Sequence, residues 1–212
     1  QLNRIGIALS RERNTAKLLE TILIAAKELL HADGGTLYRL EDGKRLRFEV
    51  LFNDSLGLAM GGASGAPIPF PPIELYDRES GEPNSGMVVT YAVLNDSTVV
   101  IDDAYAEQNF DFSGTKRFDE RTGYRSRSFL TVPMKNHENE LIGVLQLINA
   151  IDPATGQVRA FTAQDQRLAE SLASQAAIAL SNRQLITQLE TLFESFVQLI
   201  NLAIDEKSPY TG

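Results

Sequence analysis

Two apolar runs of strand length lie on either side of a short polar turn in the second half of the chain. The runs cover residues 128–134 and 141–148, and the turn covers 135–140. Such a pattern is typical of a β-hairpin whose strands are buried. A charged segment precedes this hairpin and a long helical pattern follows it, so we expect the hairpin to form the wall of a pocket.

The first half of the chain predicts two helices and another hairpin. Helical spacing of apolar residues within 1–14 predicts the end of an incoming helix, and residues 15–31 form a clearly amphipathic pattern. The segment 33–35, Asp-Gly-Gly, is expected to end the second helix. Alternating patterns over 36–40 and 46–52 flank an Asp-Gly turn, which predicts that the sheet begins as an antiparallel pair.

The middle of the chain, residues 54–86, is rich in glycine and proline and has no periodicity, which predicts a functional loop or an insertion. Short elements are predicted within and after it: an edge strand over 68–70 or 73–76, a strand over 98–101 and one helical turn over 115–120. The apolar segment 87–94 is ambiguous from its pattern, and only the family resemblance given below implies that it is a short helix.

The last helix is predicted to begin after Thr162, its N-cap, and to run to about Ile204. From Asn182 onward its apolar residues follow a heptad, with Gln175 one heptad earlier. The two apolar lines are Leu185, Leu189, Leu192, Phe196, Leu199 and Ala203, and Ile186, Phe193 and Ile200. The narrow line predicts a parallel coiled coil, the wide stripe a four-helix bundle that includes residues 15–31 of two subunits. Both are homodimers; the alternative is a long helix that packs on its own domain.

Composition narrows the function classes. The 212 residues carry a net charge of −8 and no cysteine, which argues against nucleic-acid binding and excludes disulfides, thiol chemistry and cysteine metal sites. No apolar run is long enough to span a membrane and no secretory signal is visible, so we expect a cytoplasmic protein without membrane insertion. A basic cluster within residues 116–127 is either a small-anion site or a solvated loop.

Residues 119–128, Asp-Glu-Arg-Thr-Gly-Tyr-Arg-Ser-Arg-Ser, resemble a segment of the GAF domains of cyclic-nucleotide phosphodiesterases and cyanobacterial adenylate cyclases. The continuation to Asn149 follows the same pattern without a gap. The resemblance implies an α+β fold with a central antiparallel sheet, helices on both sides, and long N- and C-terminal signalling helices. It also implies a pocket between the sheet and the loops and short helices that cover it.

The same resemblance implies a set of ligand-contacting residues, with cyclic AMP or cyclic GMP as the ligand and no catalysis by the domain itself. Thr122 and Ser126 match hydroxyl residues beside the ligand, and Gln146 matches a residue that contacts the purine. The further positions are Phe52 and Asn53 at the base, Met87 over it, Thr115 near an aromatic contact, and Arg125 as a phosphate ligand or a loop bridge.

One motif of the cyclic-nucleotide-binding members is incomplete. Asn149, Phe161 and Asp165 are present, but alanine and glutamine stand at the lysine and glutamate positions, Ala150 and Gln166. The lysine–aspartate ion pair that braces the pocket in those members therefore cannot form. Two alternatives to a cyclic nucleotide stay open: another small ligand, and no ligand.

The C-terminal segment 202–212 resembles the entry to HD-GYP phosphodiesterase domains of bacteria. The resulting interpretation is an incoming segment (1–14), a small-molecule sensor domain (15–184), and a coiled-coil linker (185–212) that leads to a metal-dependent HD-GYP output domain. Two alternatives stay open: a ligand-free dimerisation scaffold with a filled pocket, and an enzyme that uses the carboxylate pairs Asp102-Asp103 and Asp119-Glu120.

Overall fold

A computed structural model describes residues 2–63 and 66–207. The helices are α1 (Leu2–Arg11), α2 (Thr15–Leu30), α3 (Val88–Leu94), α4 (Ser113–Thr122) and α5 (Ala163–Lys207). The strands are β1 (Ala32–Glu41), β2 (Arg45–Asn53), β3 (Leu58–Gly61), β4 (Ile73–Glu74), β5 (Val99–Ile101), β6 (Phe129–Lys135), β7 (Leu141–Ile151) and β8 (Val158–Arg159).

The strands of the described residues form one antiparallel sheet in the order β3-β2-β1-β7-β6-β5, with β4 on β2 and β8 on β7. Helices cover both faces. This confirms the predicted α+β class and both predicted hairpins, β1–β2 and β6–β7. The 45 residues of α5 extend well past the sheet. Among the described helices, none combines the length and the apolar run needed to cross a membrane.

We call the two sides of the sheet the helix face and the lid face. On the helix face, α2 and the first half of α5 pack against one continuous apolar core that includes Leu37, Val50, Leu130, Leu145 and Leu147. The lid face carries the alternate residues of the same strands and is covered by α3 and by the segment that follows β5, which includes Ala104 and Phe112. Because successive side chains of a strand point to opposite faces, β7 contributes to both cores.

The junction between α2 and β1 differs from the prediction. His31 ends α2 in a left-handed conformation with φ 52°, and β1 begins at Ala32, so Gly34 and Gly35 belong to the strand rather than to the helix stop. Their missing side chains permit close packing instead. A Cβ on Gly35 would lie 2.8 Å from a methyl group of Leu23 in α2.

Two further elements differ from the sequence-based expectation. Helix α4 has ten residues rather than one turn, and β3 was not predicted. In the structure Gln175 faces α1, where a Cβ on Gly6 would lie 2.6 Å from its Oε1 atom. Gln175 of α5 therefore packs beside α1, and the heptad from Asn182 onward stays a prediction.

Candidate functional site

A row of buried polar side chains crosses the centre of the lid face. Thr36, Gln146 and Thr131 lie directly opposite one another on β1, β7 and β6. The Gln146 amide donates from Nε2 to Thr131 Oγ1 at 3.0 Å, and the Tyr38 hydroxyl donates to Gln146 Oε1 at 3.4 Å. Each of these four residues is more than nine-tenths buried. Buried polar groups of this kind require partners, since an unpaired one costs about 1–3 kcal/mol.

This polar row separates two apolar clusters of the lid face. One cluster contains Leu46, Leu75 and Val89, and the other contains Phe112 and Phe129. The row therefore interrupts what would otherwise be one apolar layer beneath α3. Burial also raises the pKa of the Tyr38 hydroxyl, so that side chain stays a neutral donor at every physiological pH.

Ser126 is held by the carboxylate of Asp119, which α4 carries near its C-terminal end. The backbone N–H and the hydroxyl of Ser126 both donate to Asp119 at 2.8 Å, and the Tyr105 hydroxyl donates to the same carboxylate at 2.8 Å. This acceptor raises the pKa of Tyr105. Asp119 is only 2% exposed, so it lies inside the fold rather than on a solvated loop. Glu120 is exposed, so the two neighbouring carboxylates do not form the pair that the sequence offered.

Two cationic side chains, Arg125 and Lys116, lie over the Tyr105 ring. The guanidinium of Arg125 lies 4.0 Å from the centroid of the Tyr105 ring, and the ammonium of Lys116 lies 5.4 Å from it. Arg127 pairs with Asp103 at 3.4 Å. Arg125 is exposed in this arrangement, so its charge remains accessible to a ligand.

The loop between α4 and β6 is tied to the sheet by Tyr124 and Asn149. The Tyr124 hydroxyl donates to Asp33 at 2.5 Å and accepts from the Asn149 amide at 2.8 Å. Burial, and then the Asp33 acceptor, raise the pKa of Tyr124. Asn149 has a φ of 56° and also accepts from the N–H groups of Arg127 and Ser128. The loop is therefore fixed at both ends.

The structure divides the residues that the sequence assigned to a single site. Gln146 lies in the buried polar row, Ser126 lies beneath Asp119, and Asn53 is buried near Tyr124. Thr122 is exposed at the end of α4 and donates to the Phe118 carbonyl at 2.9 Å. The others are spread along the lid: Met87 is the exposed N-cap of α3, and Thr115 is half-buried on α4.

Phe52 is the one predicted residue that lies on the other face of the sheet. It packs against the helix-face core, with its ring 5.9 Å from the Lys27 ammonium in α2. The reason is a β-bulge between β1 and β2: Leu37 lies opposite Val50 but Tyr38 lies opposite Phe48. The extra residue reverses the alternation of side chains, so Phe52 follows Val50 onto the helix face.

Sequence reasoning missed the partners of the predicted residues. Thr131, Thr36 and Tyr38 complete the row around Gln146, and Asp119 and Tyr105 hold Ser126. Thr131 had one signal, since it is the single hydroxyl in the apolar run of β6. The partnership of Tyr105 with Asp119 had no signal, because the two residues are brought together only by the fold.

The missing lysine at Ala150 has a substitute in the structure. Ala150 lies opposite Arg159 on β8, and the Arg159 guanidinium reaches the Asp165 carboxylate at 2.6 Å. Although burial alone would raise the pKa of Asp165, hydrogen bonds from Arg159 and Thr162 hold it below its ordinary value. Asp165 also accepts from the Thr162 N–H while Thr162 accepts in return, which completes a capping box at the start of α5.

The structure is an α+β domain, in which an antiparallel sheet packs against long helices on one face and carries a polar row beneath a short helix on the other. The family model of the GAF domain matches residues 14–180. The chain belongs to the GAF domain family.

Relatives of known name include cyclic-nucleotide phosphodiesterases. Over 124 residues the chain is 28% identical to dual 3',5'-cyclic-AMP and -GMP phosphodiesterase 11A of Takifugu rubripes, a match that covers 57% of this chain and 13% of that protein. Over 208 residues it is 29% identical to the corresponding phosphodiesterase 11 of Drosophila melanogaster, covering 88% of this chain and 12% of that protein. The chain thus spans about an eighth of the length of these relatives.

Solved structures show the same fold. The GAF domain of a phosphoenolpyruvate-protein phosphotransferase from Acinetobacter superposes with a TM-score of 0.61 at 15% identity, covering 88% of this chain and 94% of that one. At an identity this low, the superposition shows that the two domains share a fold and nothing about a shared function.

Proposed function

We propose that this chain is a cytoplasmic sensor domain that binds a small molecule on the lid face and thereby regulates an output domain. The observation that carries the proposal is the buried row of Gln146, Thr131, Thr36 and Tyr38. A polar row costs stability in a core that apolar residues could fill, and a ligand that exchanges hydrogen bonds with it gives the row a use.

A cyclic nucleotide, cyclic AMP or cyclic GMP, is the ligand class that we propose first. The relatives named as cyclic-nucleotide phosphodiesterases support it. The Gln146 amide offers both a donor and an acceptor to a purine edge, and Arg125 offers an exposed cation to a phosphate. The Arg159–Asp165 ion pair supports the same proposal, because it supplies the charge that Ala150 cannot.

Titration with cyclic AMP, cyclic GMP and cyclic di-GMP tests this proposal by calorimetry and by the melting temperature. A ligand that binds the native state raises the melting temperature as its concentration passes the dissociation constant. Gln146→Ala and Thr122→Ala should each weaken binding, whereas Gln157→Ala, at an exposed glutamine, should leave it unchanged. If none of the three nucleotides shifts the transition at millimolar concentration, the cyclic-nucleotide proposal is wrong.

A ligand-free scaffold is the second candidate function. It is favoured by the hydrogen bonds that Gln146 already makes with Thr131 and Tyr38, since these satisfy the amide without a ligand. This candidate predicts that Gln146→Ala lowers the melting temperature but that no small molecule restores it. A nucleotide that raises the melting temperature of the wild type and not of the variant decides against the scaffold.

We further propose that the chain forms a homodimer through the terminal helices, with residues 15–184 as the sensor and 185–212 as the linker to the output domain. The support is a row of large apolar side chains that stand exposed along the second half of α5. These are Leu185, Ile186, Leu189, Leu192, Phe193, Phe196, Val197, Leu199, Ile200, Leu202 and Ile204. An apolar stripe of this length in water favours association with a second copy.

Analytical ultracentrifugation tests the dimer with Leu192→Asp and, as a control on the same helix, Gln198→Asp. We expect a dimer for the wild type and the control, and a monomer for Leu192→Asp, because a charge in the apolar seam is costly to bury. A wild-type chain that sediments as a monomer contradicts the proposal. The HD-GYP type of the output domain rests on residues 202–212, of which 208–212 lie outside the described part of the chain.

A further inference from the structure

A cleft lies on the helix-face side of the sheet, away from the polar row. It has a volume of about 570 Å³ and opens between α2, the end of β2, β3 and the end of β7. Its apolar walls include Ile24, Leu58 and Ile151, with the Phe52 ring beside them. We call it the α2 cleft. Its volume lies within the range of about 300–1,000 Å³ that small-molecule sites occupy.

One buried cation distinguishes the α2 cleft from an ordinary surface depression. Lys27 lines it and is 7% exposed, although it carries a charge on a helix of the core. Its ammonium lies 2.5 Å from Asp54 Oδ1 and 5.9 Å from the centroid of the Phe52 ring. A lysine is rarely buried unless it is paired, because an ammonium without an anion is costly to remove from water.

The present partner of Lys27 is readily displaced. The Asp54 side chain is 73% exposed and belongs to the turn that follows β2. A carboxylate so accessible to water loses little when it turns outward and is hydrated again. An anion from solution can therefore take its place on the ammonium, which stays buried and continues to need one.

The charge around the cleft selects the kind of anion. Three carboxylate side chains, Glu28, Asp33 and Asp54, line it together with Lys27. A doubly charged phosphate would meet these carboxylates with a single ammonium to balance it, whereas a carboxylate brings one charge. The apolar walls favour a ligand with an aromatic or branched aliphatic body.

We propose that the α2 cleft binds a small carboxylic acid with an aromatic or branched aliphatic body. Its carboxylate replaces Asp54 on the Lys27 ammonium, and its body lies against Phe52, Ile24 and Leu58. This site is separate from the one on the lid face, so each can be occupied without the other. Because α2 is one of the helices proposed for the dimer, a ligand here acts directly on the helical part of the domain.

Methyl NMR of the full chain tests the proposal with phenylacetate as the probe and phenylacetamide as its uncharged counterpart. The isoleucine methyl groups report on both sites: Ile24 and Ile151 line the α2 cleft, and Ile148 packs on the lid face. We expect phenylacetate to shift Ile24 and Ile151 saturably, with Ile148 unmoved. The amide should bind at least about tenfold more weakly, the loss of one charge-assisted hydrogen bond.

Two substitutions sharpen the experiment. Lys27→Met keeps the length and the apolar stem of the side chain and should weaken phenylacetate at least about tenfold. Lys17→Met, at an exposed lysine of the same helix, should leave its affinity unchanged. Asp54→Asn removes the competing anion, leaves Lys27 unchanged and should strengthen the binding of phenylacetate. This variant still tests the proposal if Lys27→Met fails to fold.

Three results would overturn the proposal. Equal affinities for the acid and the amide would show that Lys27 does not recognise the charge. A shift of Ile148 without Ile24 would place the probe on the lid face. A shift of Ile24 that follows protein concentration and ignores phenylacetate would mean that a second copy of the chain covers the cleft.

Discussion

The two faces of one sheet are built on different rules. The helix face is a single apolar core in which α2 and the first half of α5 bury leucine, isoleucine and alanine side chains almost completely. The lid face holds two smaller apolar clusters with a polar row between them. Neighbouring residues of β7 show the contrast directly, since Leu145 belongs to the first core and Gln146 to the polar row.

The difference separates the helix face, which stabilises the fold, from the lid face, which is proposed to bind a ligand. Apolar burial contributes about 25 cal/mol per Å² and needs no specific partner, so the helix face holds the fold together. A buried amide or hydroxyl contributes little net stability and requires a partner at a defined position. Proteins depart from consistent apolar packing mainly at functional or strained sites, which supports the proposal of a ligand on the lid face.

The largest expected loss of stability comes from a substitution in the core of the helix face. Leu145→Ala should lower the free energy of unfolding by about 2–5 kcal/mol, because a fully buried leucine leaves a cavity in a close-packed core. Urea unfolding measures it. Gln157→Ala, at an exposed glutamine outside the proposed dimer interface, should change stability by less than about 0.5 kcal/mol. A similar loss in both variants would mean that burial does not separate these positions.

The next effect concerns the carboxylate beneath Ser126. Asp119→Ala removes the acceptor of three hydrogen bonds and should cost about 3 kcal/mol, because the N–H and hydroxyl groups of Ser126 and the Tyr105 hydroxyl lose their partner. Glu120→Ala, at the exposed neighbour, is the matched control for the same urea experiment. If the two variants unfold alike, Asp119 does not hold the loop.

A smaller effect depends on pH and tests the brace at the start of α5. The pKa of Asp165 is depressed in the folded state, so its contribution to stability is present above the unfolded value of about 3.9 and is lost as the pH falls through the lower folded value. Arg159→Gln should cost about 1–2 kcal/mol at pH 7. Without Arg159 the pKa of Asp165 should rise toward its unfolded value. The free energy of unfolding of the variant should therefore decrease less than that of the wild type as the pH falls below 4.

Stability profiles from pH 7 to pH 2 measure this effect. The control is Arg167→Gln, at an exposed arginine two residues after Asp165. A parallel displacement of the Arg159→Gln profile at all pH values would mean that Arg159 stabilises the fold without acting on Asp165.

The smallest expected change in stability comes from substitutions in the polar row of the lid face. The double variant Gln146→Leu with Thr131→Val replaces both partners of a buried hydrogen bond by apolar groups of similar shape, which is often close to neutral for stability. Only the hydrogen bond from Tyr38 is left to lose. We expect a folded protein within about 1–2 kcal/mol of the wild type that no longer responds to any lid-face ligand. Retained binding would move the site elsewhere.

Local patterns predicted most elements, because periodicity and turn chemistry act within a few residues. The Asp42-Gly43 turn is an example: both residues have positive φ values, 51° and 64°, and the Lys44 N–H donates to the Glu41 carbonyl at 2.9 Å, as in a type I′ turn. Thr162 and Asp165 also cap α5 as their spacing predicts. The length of α4 was underestimated, since its polar sequence contains little periodic apolar signal.

The sequence by itself determined the α+β class, the two main hairpins and the long last helix, since each of these follows from a short-range pattern or a resemblance carried by contiguous residues. Only the tertiary structure decided which residues meet. The bulge opposite Leu37 moved Phe52 to the helix face. The pairing of Ala150 with Arg159 supplied a cation to Asp165. Both depend on strand register, which is set by the packing of the whole sheet rather than by the residues concerned.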